Sequence, residues 1–167
     1  MVNATDVVNA VRDVESQYFR LVLIVSPTSS EKAGILTQAQ GELRAILVKI
    51  GTEISQRLLE MTERQRALKV AHLLDEVLAP YPPEQVLILD NIEILFDQHL
   101  ALNPLSLLQK ISRNHTLIVI WNGSVQDGWL TYAMPSHSEY KKYPAQDVII
   151  VQSGPSTTFQ TNTSEFA

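Results

Sequence analysis

Apolar positions follow two patterns along this chain: helical spacing in some stretches and unbroken short runs in others. In residues 3–20, Val7, Val8, Val11, Val14 and Phe19 recur near helical spacing, with Asn3 or Thr5 placed to cap the start. Leu21-Val22-Leu23-Ile24-Val25 follows. Five consecutive apolar residues without alternation predict a strand buried on both faces, as in a parallel sheet. A polar stretch over residues 26–31 leads into a helical segment over 32–43. Residues 45–50 predict a second strand. Residues 52–61 predict a helix with Ile54, Leu58 and Leu59 on one side. Thr62 opens another helix, Gln65 completing a capping box. That helix runs to about Leu78 with Leu68, Ala71, His72, Leu74 and Val77 inward, and Pro80, Pro82 and Pro83 stop it. Residues 86–89 predict the third strand, ending at Asp90. Residues 105–112 predict a helix with Pro104 in its first turn. Residues 116–121 predict the fourth strand, Asn122-Gly123 a turn, and residues 147–152 the fifth strand.

Strands alternating with helices predict an α/β fold, a three-layer sandwich around a mainly parallel five-stranded sheet. One domain over residues 1–152 is expected. Residues 153–167, rich in Ser, Thr, Gly and Pro, are expected to form a polar, flexible tail. The balance of 18 acidic against 13 basic residues gives a net charge of −5, which disfavours direct nucleic-acid binding by a monomer. No cysteine is present, so disulfides, thiolate metal sites and cysteine nucleophiles are excluded. No apolar run approaches the ~20 residues of a membrane span, and the amphipathic N-terminus is unlike a signal peptide. A cytoplasmic protein without membrane contact is expected.

A parallel sheet places ligands beyond the carboxyl ends of its strands, so the residues after Val25, Leu89 and Ile120 carry the candidate chemistry. Ser26-Pro27-Thr28-Ser29-Ser30-Glu31-Lys32-Ala33 lies where a phosphate-binding loop, G-x-x-x-x-G-K-[ST], belongs. Only Lys32 matches. Ser26 and Glu31 replace the glycines that let backbone N–H groups wrap a phosphate, and Ala33 replaces the hydroxyl that ligates magnesium. Glu31 opposes a triphosphate and is placed to fill the anion position itself, or to pair with Lys32 or the helix amides. Asp90, after four apolar strand residues, stands where an acid orients magnesium. Asn91 stands where a catalytic glutamate follows in ATP-hydrolysing proteins, and it is no general base. Glu93 faces the same way as Asn91 if the chain stays extended. Asn122 ends the fourth strand, where a polar residue senses a γ-phosphate. The degenerate nucleotide site is thus Ser26, Ser29, Ser30, Glu31, Lys32, Ala33, Asp90, Asn91 and Asn122. Asp90 is a metal ligand only if magnesium–nucleotide binds.

Plainer readings stand beside these. Lys32 is also an ordinary first-turn lysine, Asp90 also a cap for residues 91–96, and Asn122-Gly123 a simple turn. Trp121 reads as core or interface, and His72 as a packed histidine. His99, His115 and His137 have no metal-ligand spacing. Ser136, His137 and Glu139 lack a nucleophile elbow. Lys141 and Lys142, near Tyr140 and Tyr143, form a local basic, aromatic patch or a solvated turn.

Several segments together are more specific: Leu87-Ile88-Leu89-Asp90-Asn91-Ile92-Glu93-Ile94-Leu95-Phe96, Asn103-Pro104-Leu105 with Leu107-Leu108-Gln109-Lys110-Ile111-Ser112-Arg113-Asn114, and Ile118-Val119-Ile120-Trp121-Asn122-Gly123. With Leu130-Thr131-Tyr132-Ala133-Met134-Pro135, Tyr143-Pro144 and Glu53-Ile54-Ser55-Gln56-Arg57-Leu58-Leu59, the chain resembles the small P-loop protein of BREX phage-defence systems, the BrxF family, over residues 18–152. The resemblance implies a P-loop NTPase-like core of the AAA+/RecA type without a helical lid. It also implies a place beside other BREX components, such as a DNA methyltransferase, a phosphatase-like protein and a large ATPase. Relatives carry an intact phosphate loop and tend to have proline at the position of Asn122. Hydrolysis therefore does not carry over. The function expected is a non-catalytic or regulatory component acting through protein–protein contacts, with no cofactor. The alternative is an ATP-binding protein with weak, magnesium-dependent ATPase activity. A homo-oligomer is also expected, with Trp129 or residues 92–102 supplying apolar contact surface.

Overall fold

The computed structural model describes residues 4–132, 141–152 and 157–159. Helix α1 (Ala4–Val14) precedes β1 (Leu21–Val25), followed by α2 (Ser29–Glu42), β2 (Ile46–Lys49), α3 (Ile50–Leu58) and α4 (Glu63–Leu78). Next come β3 (Val86–Asp90), 3-10 helices at Ile92–Phe96 and Gln98–Leu100, α5 (Pro104–Ile111) and β4 (Thr116–Trp121). Then follow β5 (Gly123–Gln126), β6 (Trp129–Tyr132), β7 (Lys141–Pro144), β8 (Val148–Val151) and β9 (Thr157–Phe159).

The main sheet has the order β2-β3-β4-β1-β8-β9. Its first five strands are parallel, Leu21–Val25 lying in register with Leu117–Trp121 and Val22–Ile24 with Ile149–Val151. The expected strands therefore all form, in an α/β fold with a mainly parallel sheet. Alternate residues of β1 enter opposite cores. Leu21, Leu23 and Val25 pack with α3, α4 and α5, whereas Val22 and Ile24 pack with α1 and α2. Both faces are covered, and this is why these strands tolerate no polar alternation.

Three features depart from the sequence reading. Thr157–Phe159, placed in the tail by composition, pair antiparallel with β8 at the sheet edge. Asn122-Gly123 does not close a simple turn; Gly123 starts β5 of a second, antiparallel sheet ordered β5-β6-β7. The inward face of α4 is Val70, Leu73, Leu74, Val77 and Leu78, while Leu68 is 72% exposed and Ala71 and His72 face solvent. His72 bonds Glu76 one turn on, at 3.0 Å, rather than packing in the core. The capping box at Thr62 and Gln65 is present as read.

The second sheet is held by one aromatic cluster. Trp121, fully buried, donates its indole N–H to the Thr131 carbonyl at 2.9 Å. Phe96 stacks on Tyr132 at 3.6 Å and meets Trp121 edge-on at 5.2 Å. Tyr143 meets the same indole edge-on at 6.0 Å; burial pushes its phenol up to about 12. Of residues 92–102, expected to supply apolar contact surface, Ile92, Leu95, Phe96 and Leu100 enter the core, while Ile94 and Leu102 are only partly buried. Trp129 is 41% exposed, with the Lys142 ammonium over its ring at 4.5 Å. Ser136, His137, Glu139 and Tyr140 lie outside the described residues.

His115, between α5 and β4, carries a buried ring nitrogen, Nδ1, with no hydrogen-bond partner. Burial, then the nearby Arg20 charge, lowers its pKa below 6.5, with Asp75 opposing. The unfolded chain thus takes up a proton that the native state resists, and stability falls as pH drops from 6.5 through the native value. His115→Gln is expected to remove this part of the acid loss. Urea midpoints of the two proteins should draw together between pH 7.5 and the acid limb; parallel curves would count against it.

Candidate functional site

Helix α2 leaves β1 toward one face of the sheet, and the chain after β4 joins the packing on the other face. The crevice between such divergent connections is where open α/β sheets bind ligands. At this end stand the residues after β1, β3 and β4, as the sequence reading required.

The loop after β1 is only Ser26-Pro27-Thr28 before α2 begins. Thr28 is the N-cap: its hydroxyl accepts from the Glu31 N–H at 3.2 Å, and the Glu31 carboxylate accepts from the Thr28 N–H at 3.1 Å. Glu31 is buried, 7% exposed. This is a reciprocal capping box, and it commits two backbone amides of the loop, those of Thr28 and Glu31, to side chains of the loop itself. Thr28-Ser29-Ser30-Glu31 carries the T-x-x-E signature of such a box in the sequence itself. Thr28→Ala is expected to cost about 1 kcal/mol. That lowers the melting temperature by roughly 2–4 °C; an unchanged melt would deny the cap.

Lys32 extends from the first turn of α2 to Asp90 at the end of β3, Nζ to Oδ2 2.5 Å. The Lys32 side chain is 33% exposed and that of Asp90 11%. The pair reaches past β4, which separates β1 from β3. The other Asp90 oxygen accepts from the Asn91 N–H at 2.9 Å. Asp90 is therefore not a cap of the following segment: Asn91 holds that place, in the left-handed region at φ 58°, with no side-chain cap bond. The chain turns helical at Ile92, so Glu93 does not continue an extended strand beside Asn91. Instead the Glu93 carboxylate accepts from the Asn122 amide at 2.6 Å.

Ser26, also left-handed at φ 42°, donates its hydroxyl to the Gly123 carbonyl at 2.8 Å. The same oxygen accepts the Gly123 N–H at 3.1 Å, and the Ser26 N–H donates to the Trp121 carbonyl at 2.7 Å. Ser26 thus clasps the loop of β1 to the exit of β4. A second close approach lies at Gly51, where a Cβ would fall 2.4 Å from the Asn91 carbonyl oxygen. Only glycine lets the first turn of α3 lie against Asn91.

The structure therefore brings Ser26, Glu31, Lys32, Asp90, Asn91 and Asn122 to one sheet end. Ser30 is oriented locally, its hydroxyl 3.3 Å from that of Thr28. Ser29 and Ala33 face solvent, and Ala33 offers no side-chain oxygen to a cation. Gly123 and Thr28 complete the site and were not singled out from sequence. Among the described residues, no cluster of three or more His, Asp or Glu side chains is arranged to hold a metal ion. Among the same residues, no helix is long and apolar enough to cross a membrane. No protein-family model matches the chain, and no curated protein matches it.

Proposed function

We propose that this chain is a non-catalytic, regulatory P-loop-like component of a BREX-type phage-defence system, acting through protein–protein contacts. The BREX assignment rests on the segment resemblance over residues 18–152. The strand order supports the P-loop NTPase-like part of the reading. The loop after β1 opens α2, and the acid of β3 stands one strand beyond β4. The observation that carries the non-catalytic part is the reciprocal cap of Thr28 and Glu31. Magnesium–triphosphate does not fit these residues. A buried carboxylate lies at the helix start, Lys32 is neutralised by Asp90, and Ala33 has no ligating oxygen.

The ATP-binding alternative keeps one observation: a lysine from the first turn of α2 and an acid from the end of β3 stand together at the crevice, one-third and one-tenth exposed. Co-expression with the other components of a BREX system separates the readings. The scaffold reading expects Lys32→Ala to co-purify with those components and to restrict phage like the unmodified chain. Loss of restriction with co-purification retained favours the ATP reading. Failure of the unmodified chain to co-purify with any component overturns the BREX assignment.

A further inference from the structure

We propose that the groove between α3 and the 3-10 helix at Ile92–Phe96 is a docking surface for a basic, amphipathic helical segment of a partner protein. Two hollows of about 430 and 440 Å³ adjoin there, sharing Ser55, Leu59 and Ile94. The first hollow has an apolar floor, Leu58 and Leu100 being buried beneath it, and Leu59, 73% exposed, and Ile94 carry the apolar surface into the second. An amphipathic helix lays its apolar stripe into a groove of this kind.

The rim selects the occupant's charge. Glu63, Glu93 and Asp97 face Arg66 and His99 around the two hollows. The Arg66 guanidinium, held by the Leu58 and Met61 carbonyls at 3.0 and 3.1 Å, keeps its charge and is outnumbered by the three carboxylates. His99 sits between Asp97 and Glu63, at 3.0 and 3.5 Å. The acidic excess of the rim matches the net charge of −5, so both near and far fields attract a cation-bearing partner. The same charge argues against a second copy. The chain's own stretch over residues 160–167 holds Glu165 and no Lys or Arg, so it lacks the charge this rim selects. The inference goes beyond the nucleotide question and stands whether or not magnesium–ATP binds.

The test uses a fluorescein-labelled helical peptide of about 14 residues, ~21 Å long, with leucine at helical spacing and lysine elsewhere. Its counterpart carries glutamate in place of lysine. Anisotropy should report saturable, salt-sensitive binding of the lysine peptide alone. Leu59→Lys should weaken it about tenfold or more, equivalent to about 1.4 kcal/mol. Leu68→Lys, at an equally exposed leucine of α4 outside the groove, should leave it unchanged. Both leucines are exposed, so matched thermal melts of the two variants provide the folding control. Equal binding of the glutamate peptide, equal loss in Leu68→Lys, or no binding overturns the proposal. A dimer in sedimentation that Leu59→Lys dissolves also overturns it, by giving the groove to a second copy.

Discussion

Trp121→Ala is expected to destabilise the protein by about 3–5 kcal/mol, the range for emptying a buried large aromatic site. Trp121 is fully buried at the last position of β4, and three rings, Phe96, Tyr132 and Tyr143, pack around it. Alanine also leaves the Thr131 carbonyl without its indole donor. The loss extends to the crevice because the Trp121 carbonyl receives the Ser26 N–H and the next two residues hold Glu93 and the Ser26 hydroxyl. Trp121→Phe keeps an aromatic ring but removes the indole donor to the Thr131 carbonyl, and about 1–3 kcal/mol is expected. Urea unfolding measures both. An alanine cost within about 0.5 kcal/mol of the surface norm would contradict this packing.

Gly123→Ala is expected to be nearly as severe, at or above the upper end of the ~1–3 kcal/mol seen for overpacking. A Cβ at Gly123 would lie 1.7 Å from the Thr131 carbonyl oxygen and 2.8 Å from Trp121 Nε1. Backbone is in the way, so β5 and β6 must separate, breaking the Gly123–Tyr132 register and the Ser26 clasp. Urea unfolding again supplies the measurement, and Ala at Gly34, where a Cβ meets nothing within 4 Å, is the mild counterpart. Equal unfolding midpoints for the two variants would contradict the account.

The parallel strands were legible because burial on both faces leaves no polar position in β1, β3 up to Leu89, β4 after Thr116, or β8. The second sheet was not. Its strands are short and half-exposed, and β5 reads Gly-Ser-Val-Gln, a sequence whose pairing depends on Trp121 and Thr131 rather than on its own apolar content. The face of α4 was misjudged because Leu68 and Ala71 are apolar yet solvent-facing; hydrophobicity alone did not fix the helix rotation. At the site, Lys32 and Asp90 were found from their places at strand ends. Their pairing across β4 was not readable, since it depends on the strand order. The Ser26–Gly123 clasp links residues 97 apart in sequence, and no local pattern announces it.

The start of α2 is capped by the Glu31 carboxylate and Lys32 is paired with Asp90, and the proposed function takes this site to seat no nucleotide. The melting temperature with and without millimolar magnesium–ATP tests this most directly, because a ligand that binds only the folded state must raise it. The account predicts no shift. A clear rise that Lys32→Ala abolishes would contradict it.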